Sequence, residues 1–338
     1  MVRTFILGVS GFVGGELLRL CAGHPQLRPA GFFGDSHAGK RIDEVHPHLA
    51  LAYPGSLVET FDEAALDSAD LVFAALPHGV SQAVAPAILK RGIPFVDLGA
   101  DFRLRDPKTY ERWYHEPHRA PDLLDRFVYG IPEINREAIR GARNVAAAGC
   151  YPTATILALK PLVEAGLIEP GSIVVDASSG VSGAGRVAKE ATAFNTVAES
   201  FSAYGLLDHR HTAEMEAVLG SELLFTPHLA PMNRGILATC YARASQTMST
   251  HEPLAALRAA YAGEPFVHVT DQPPATKWTL GSNAVQIAAR YDARTGRVLA
   301  IAALDNLVKG AAGQMIQCAN LMLGFDETAG LPVCGVYP

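Results

Sequence analysis

Three glycines spaced three apart, Gly8, Gly11 and Gly14, stand between an apolar run at residues 4–8 and the helix-forming run Glu16-Leu17-Leu18-Arg19-Leu20. A strand that breaks into a glycine turn and restarts as a helix is the opening unit of a dinucleotide-binding βαβ fold. The glycines allow a sharp turn and close approach of a pyrophosphate, whose charge sits at the helix N-terminus. On that reading Gly8, Ser10, Gly11, Phe12 and Val13 are the cofactor-binding residues. The spacing is G-x-x-G-x-x-G rather than G-x-G-x-x-G, so a plain strand-to-helix turn stays open beside it. A second strand at residues 29–34 leads to Asp35, which suits the ribose hydroxyls of NAD, and to Ser36, His37 and Lys40, which suit a 2′-phosphate.

Residues 70–77 and 94–98 are further buried-strand runs, with a helix between them from Ser81 to about Arg91. Strands alternating with helices predict an α/β fold built on a Rossmann-type doubly wound parallel sheet. Ligands bind such sheets beyond the carboxyl ends of the strands, where Arg103 follows the last of these runs. It is a candidate anchor for an anionic group, with an ordinary surface arginine as the alternative. Residues 105–145, rich in Pro, His, Arg and Tyr, read as an excursion over the surface rather than a regular layer. His46, His48, His115 and His118 have no carboxylate or cysteine to complete a ligand set, so no metal site is expected.

Mid-chain, Ala148-Gly149-Cys150-Tyr151-Pro152-Thr153-Ala154-Thr155 opens a run with helical apolar spacing. A cysteine at a helix N-terminus is favoured as the thiolate and can act as a nucleophile, while the alternative is a small buried apolar residue. A strand at residues 172–178 then meets a second glycine-rich loop, Ser179-Gly180-Val181-Ser182-Gly183-Ala184-Gly185-Arg186, which suits a phosphoryl or carboxylate group or is a solvated linker. In His209-Arg210-His211-Thr212, Thr212 is the expected cap of a helix, and one imidazole is a candidate acid/base.

From Leu223 onward the pattern changes to strands at residues 223–227, 236–244, 266–270, 284–291 and 298–304, the last two joined by a hairpin turn. This half reads as an α+β domain, closed by a small-residue helix beginning at Asp305 and a loose tail carrying Cys334. A chain of 338 residues suits two domains. Five scattered cysteines exclude a disulfide framework, and a net charge of −6 with no long run of one sign gives no reason to expect nucleic acid or a membrane as partner. With no signal-peptide pattern at the N-terminus, a cytoplasmic protein is expected.

The dinucleotide loop at the N-terminus, Cys150 at a helix start and a later histidine converge on a thiolate that takes an acyl group and a nicotinamide that reduces the thioester. The segments around Cys150, Ser179 and His211 carry a further likeness. Together with Thr226–Gly235, Asp305–Gln314, Ala75–Ser81 and Ala100–Arg103, they resemble the N-acetyl-γ-glutamyl-phosphate reductases, the arginine-pathway branch of the aspartate-semialdehyde dehydrogenase superfamily. The resemblance spans nearly the whole chain. It implies NADP-dependent reduction of an acyl phosphate to a semialdehyde with release of inorganic phosphate. Cys150 would then be the nucleophile and His211 the acid/base, with His209 as fallback. Arg103, Ser179 and Arg234 would bind substrate; Ser36, His37, Pro77, Asn306 and Gly310 would join the glycine loop in binding cofactor. The expected domains are 1–148 for the dinucleotide, 149–310 for catalysis and 311–338 as a helix and tail returning to the first, in a homodimer or homotetramer. Two departures stand out: Ala147-Ala148 where the family has Asn-Pro, and Gly99 where it has serine. The N-acetylaminoadipyl-phosphate reductase of lysine synthesis, and a non-catalytic dinucleotide-binding regulator, are the competing readings.

Overall fold

Apolar runs bounded by turn residues become the strands, and the computed structural model describes all 338 residues as two compact units. Met1–Ala148 with Ala311–Leu331 form the first, Gly149–Gly310 with Pro332–Pro338 the second.

In chain order the first unit holds β1 (Val2–Leu7), α1 (Phe12–Ala22), β2 (Leu27–Phe33), α2 (Ile42–Val45), β3 (Leu71–Ala74), α3 (Ser81–Lys90), β4 (Phe95–Asp97), α4 (Pro107–Tyr114), β5 (Val128–Gly130), α5 (Pro132–Arg140) and β6 (Asn144–Ala147). The six strands form one parallel sheet in the order β2-β1-β3-β4-β6-β5. β3, β4 and β6 are buried along their whole length, as strands covered on both faces must be. Phe5, Leu7, Phe33, Val72, Phe95 and Phe127 fill the core.

Residues 105–145 depart from the expected surface excursion, because β5 and β6 complete the sheet and α4 and α5 flank them. Asp106 caps α4 by accepting the amides of Lys108 and Thr109, and Pro107 starts it. Strands of three and four residues carry too little alternation to stand out from such polar surroundings.

The second unit holds α6 (Cys150–Glu164), β7 (Ile173–Gly180), α7 (Phe194–Val197), β8 (Ser202–Ala203), α8 (His211–Leu219), β9 (Leu223–Ala230), β10 (Ile236–Arg243), α9 (Glu252–Ala260), β11 (Val267–Val269), β12 (Val285–Asp292) and β13 (Arg297–Leu304). They form a mixed seven-stranded sheet, β11-β12-β13-β10-β7-β9-β8. α6 packs on β10 and β13 and against α8 and α9. Its residues 151–159 are all buried, which explains an apolar run without a polar face.

A π-helical turn at Val308–Ala312 leads into α10 (Gly313–Met322), which belongs to the first unit. Glu327 there pairs with Arg136 of α5 at 2.8 Å. The last residues do not stay with that unit, against the expectation for 311–338. The Val336 amide donates to Leu280 O at 2.7 Å and the Asn283 amide to Pro332 O at 2.8 Å, so the tail is held on the second unit. No helix is long and apolar enough to cross a membrane.

Candidate active site

Within the first unit, the residues expected to bind the cofactor lie at the carboxyl ends of β1, β2 and β3, while Asn306 and Gly310 belong to the second unit. Gly8 has φ +84°, and a side chain there would overlap the carbonyl of Ala75 just beyond β3. A Cβ on Gly14 would overlap Gly8 and Val9, so this glycine lets α1 sit directly on the turn. Gly11 is the N-cap of α1, with no side-chain cap and no acidic residue in the first turn, which leaves the positive end of the helix for an anion. Phe12 is exposed and Val13 half-buried. At the end of β2, a Cβ on Gly34 would stand 2.9 Å from the Ser10 hydroxyl. The turn that follows exposes Asp35 and Ser36, and the Ser36 hydroxyl is 2.9 Å from His37 Nδ1. Pro77 is exposed at the turn before α3.

Two buried aspartates build the turn after β4. Asp101 accepts the Gly79 amide at 2.7 Å, the Tyr110 hydroxyl at 3.2 Å and the Gln82 amide at 3.3 Å, and so ties the turns after β3 and β4 together. Asp97 accepts the Ser81 hydroxyl at 2.7 Å and the Gly99 amide at 2.9 Å. Burial pushes its carboxyl up to about 7 against those two hydrogen bonds. A Cβ at position 99 would stand 2.7 Å from Ser81 Oγ and 3.0 Å from both Asp97 oxygens, which is the physical reason for glycine there. Arg103 is half-buried and donates through Nη2 to Leu98 O at 2.7 Å. Neither aspartate was identifiable as a support from the sequence, because Asp101 acts through amides about twenty residues earlier and Asp97 through the Ser81 hydroxyl and its neighbouring Gly99 amide.

In the second unit Cys150 is the first residue of α6, half-buried, with Gly149 as N-cap. No side chain of α6 caps this end. The buried Glu214 of α8 does so from outside, accepting the Gly149 amide through Oε1 at 2.8 Å. Thr153 closes the first turn onto Gly149 O at 2.9 Å. The amides of Cys150 and Tyr151 come too early in α6 to have a carbonyl four residues earlier within the helix. Gly310 lies against Cys150, where a Cβ would stand 2.8 Å from Cys150 Cβ and 3.2 Å from its Cα.

The two imidazoles lie together beside Tyr151. Their ring centroids are 4.9 Å apart, and each meets the Tyr151 ring edge-on, His209 at 5.6 Å and His211 at 5.9 Å. His209 Nδ1 accepts the backbone amide of His211 at 3.2 Å. Burial, with the Arg210 charge adding to it, pushes His209 down to about 4, so it is neutral near pH 7. His211 is the first residue of α8 and Arg210 its N-cap, which corrects the expectation for Thr212. The Thr212 amide already bonds His209 O at 2.9 Å, so the helix starts two residues earlier than a Thr212 cap would allow.

The remaining predicted residues are drawn into a loop assembly. Ser179 is buried at the end of β7, its hydroxyl donating to Gly180 O at 3.0 Å. The glycine-rich loop after it is pinned on residues 232–235 by the amides of Gly180, Val181 and Ser182. Arg234 pairs with the fully buried Asp305 at 3.0 Å, an ion pair that commits part of its guanidinium. Asn306 accepts the Gly235 amide at 2.7 Å and donates to Ser182 Oγ at 3.0 Å, so both ends of its carboxamide hold loops of the second unit in place.

The fold is shared with semialdehyde dehydrogenases of known structure. Aspartate semialdehyde dehydrogenase II from Vibrio cholerae aligns over 96% of this chain and 99% of that one, with a TM-score of 0.70 at 18% identity. The aspartate semialdehyde dehydrogenase with NADP from Candida albicans aligns over 96% and 98%, with a TM-score of 0.66 at 16% identity. Family models described as the semialdehyde dehydrogenase NAD binding domain and dimerisation domain match residues 3–142 and 150–306. The chain is therefore of the semialdehyde dehydrogenase class.

Its sequence relatives are narrower. Over the full length of both chains it is 49% identical to the N-acetyl-gamma-glutamyl-phosphate reductase of Desulforudis audaxviator, 46% to that of Moorella thermoacetica and 44% to that of Geobacillus stearothermophilus. The chain belongs to the N-acetyl-gamma-glutamyl-phosphate reductase family.

Proposed function

We infer that this protein reduces N-acetyl-γ-glutamyl phosphate to N-acetylglutamate semialdehyde with NADPH, releasing inorganic phosphate, as an enzyme of arginine biosynthesis. The observation that carries the reading is Cys150 at the N-terminal end of a buried helix, beside Tyr151 and the two imidazoles packed on it, in a chain whose full-length relatives bear that activity as their name.

The helix end favours the thiolate of Cys150, which attacks the acyl carbon. His211 takes the thiol proton and passes it to the phosphate as the C–O bond breaks, leaving a thioester on Cys150. His209 is the poorer base, since burial keeps it neutral and its Nδ1 already accepts an amide. The amides of Cys150 and Tyr151 stabilise the tetrahedral oxyanion. Gly8, Ser10, Gly11, Phe12 and Val13 hold the pyrophosphate of the dinucleotide, and Ser36 and His37 its 2′-phosphate. The turn and open helix end fit an anion, and the Candida albicans neighbour is solved with NADP. When bound, the reduced nicotinamide supplies hydride to the thioester carbon. Collapse then expels the Cys150 thiolate and frees the aldehyde. Arg103, Ser179 and Arg234 bind the phosphate and carboxylate of the substrate.

The test is Cys150→Ser with trapping of the acyl-enzyme. The variant is expected to lose at least about 100-fold in kcat while still binding NADP, and wild-type enzyme mixed with acyl phosphate alone gains the mass of one acyl group on the Cys150 peptide. Full activity in Cys150→Ser overturns the covalent route. The second unit matches a dimerisation domain, and we propose a homodimer or homotetramer, which light scattering of the purified protein distinguishes from a monomer.

A further inference from the structure

A buried histidine that the mechanism does not use lies under the glycine loop. His46 is 1% exposed, and its Nε2 is 2.9 Å from Val9 O, inside the turn between β1 and α1. Gly15, the residue after the third loop glycine, gives the ring its place, because a methyl group there would overlap the imidazole.

Most of the amides of this turn are already spoken for. Those of Gly8 and Val9 both donate to Phe33 O at 2.9 Å, and that of Gly11 to Gly8 O at 3.1 Å. The Ser10 amide donates to no group of the chain. In a planar trans peptide the carbonyl of one residue and the N–H of the next point in opposite directions. Holding the Val9 carbonyl inward on the imidazole therefore turns the Ser10 N–H the other way, as a donor for an anionic oxygen.

We propose that His46 is a positioning residue for cofactor binding: its Nε2–H fixes the Val9–Ser10 peptide so that the Ser10 amide is presented to the dinucleotide pyrophosphate. The proposal rests on the reading that the glycine loop binds NADPH. Both the neutral Nε2–H tautomer and the imidazolium can make this bond, so His46 acts through geometry.

The test compares His46→Phe, which keeps a ring and removes the donor, with His46→Gln, which keeps an N–H donor. NADPH affinity is read by fluorescence titration, alongside kcat at saturating NADPH, KM for the acyl phosphate and thermal melting. His46→Phe is expected to raise the NADPH Kd about tenfold, the equivalent of one well-placed hydrogen bond. His46→Gln should restore most of it, and KM for the acyl phosphate should stay within about twofold in both. If His46→Phe does not fold, Gly15→Ala displaces the ring from the other side and should weaken NADPH binding in the same way. An NADPH Kd unchanged across the variants, or an equal rise in both KM and Kd, overturns the proposal. Because NADPH binding is read without turnover, a wild-type protein that binds NADPH but reduces no acyl phosphate overturns the reductase reading alone.

Discussion

The Glu214 carboxylate accepts the amide of Gly149 at 2.8 Å, so the helix that carries His211 also holds the residue immediately before Cys150. Glu214 follows His211 by three residues on α8, and the two therefore move as one piece. Its bond is to a backbone amide, so what Glu214 supplies is an anchor for the turn before Cys150.

Glu214→Ala should leave a buried amide unsatisfied, at a stability cost of about 1–3 kcal/mol, and loosen the start of α6. Glu214→Gln keeps a carbonyl acceptor. The alanine variant is expected to lose at least about tenfold in kcat, and the glutamine variant much less; equal losses in the two would show that the negative charge, and not the anchor, is what matters.

Gly310→Ala tests the contact on the other side of Cys150. Its Cβ would stand 3.2 Å from Cys150 Cα, a backbone atom that cannot rotate away. The main chain must shift, at about 1–3 kcal/mol for overpacking. We expect kcat to fall by about 100-fold, since displacements near an ångström at a reacting group have effects of that order. Rates of Cys150 alkylation and thermal melting, measured together, separate a displaced thiol from a partly unfolded one.

The parallel sheet and the helix that begins at Cys150 were legible because both are local: an apolar run, a glycine turn and a helical period are all written within about fifteen residues. The supports of the site were not. Glu214 lies 65 residues from Gly149, and His46 lies 37 from Val9. Each acts on a backbone group, which leaves no motif of its own in the sequence. Asn306 shows the same effect in reverse: its motif marks it out, yet its carboxamide is engaged by Gly235 and Ser182.

The histidine pair makes opposite predictions for its members. His211→Asn should lower kcat by about 10²–10⁴-fold, the usual contribution of a general acid/base, and His209→Asn by far less. For His209 the folded value, about 4, lies below the ordinary 6.5. Its neutral form is thus the one compatible with the fold, and it costs no stability above 6.5. As pH falls from 6.5 towards 4 the unfolded chain takes up the proton first, and stability is lost over that window. Denaturant melts from pH 4 to 7 should show a shallower acid loss in His209→Asn than in wild type.

Asp97 makes a contribution of the opposite sign. Its folded value of about 7 lies above the ordinary 3.8, chiefly through burial. The carboxyl is neutral in the fold while the unfolded chain is already ionised, so its contribution is fully present below 3.8 and is lost as pH rises through 7. A shift of this size corresponds to about 4 kcal/mol at most. Asp97→Asn keeps the acceptor for the Ser81 hydroxyl and the Gly99 amide, and it replaces an oxygen that has no partner. The variant should match wild type near pH 4 and become the more stable protein by pH 8. A variant less stable at every pH would mean that Asp97 is ionised in the folded protein, held so by Arg103 and its two donors.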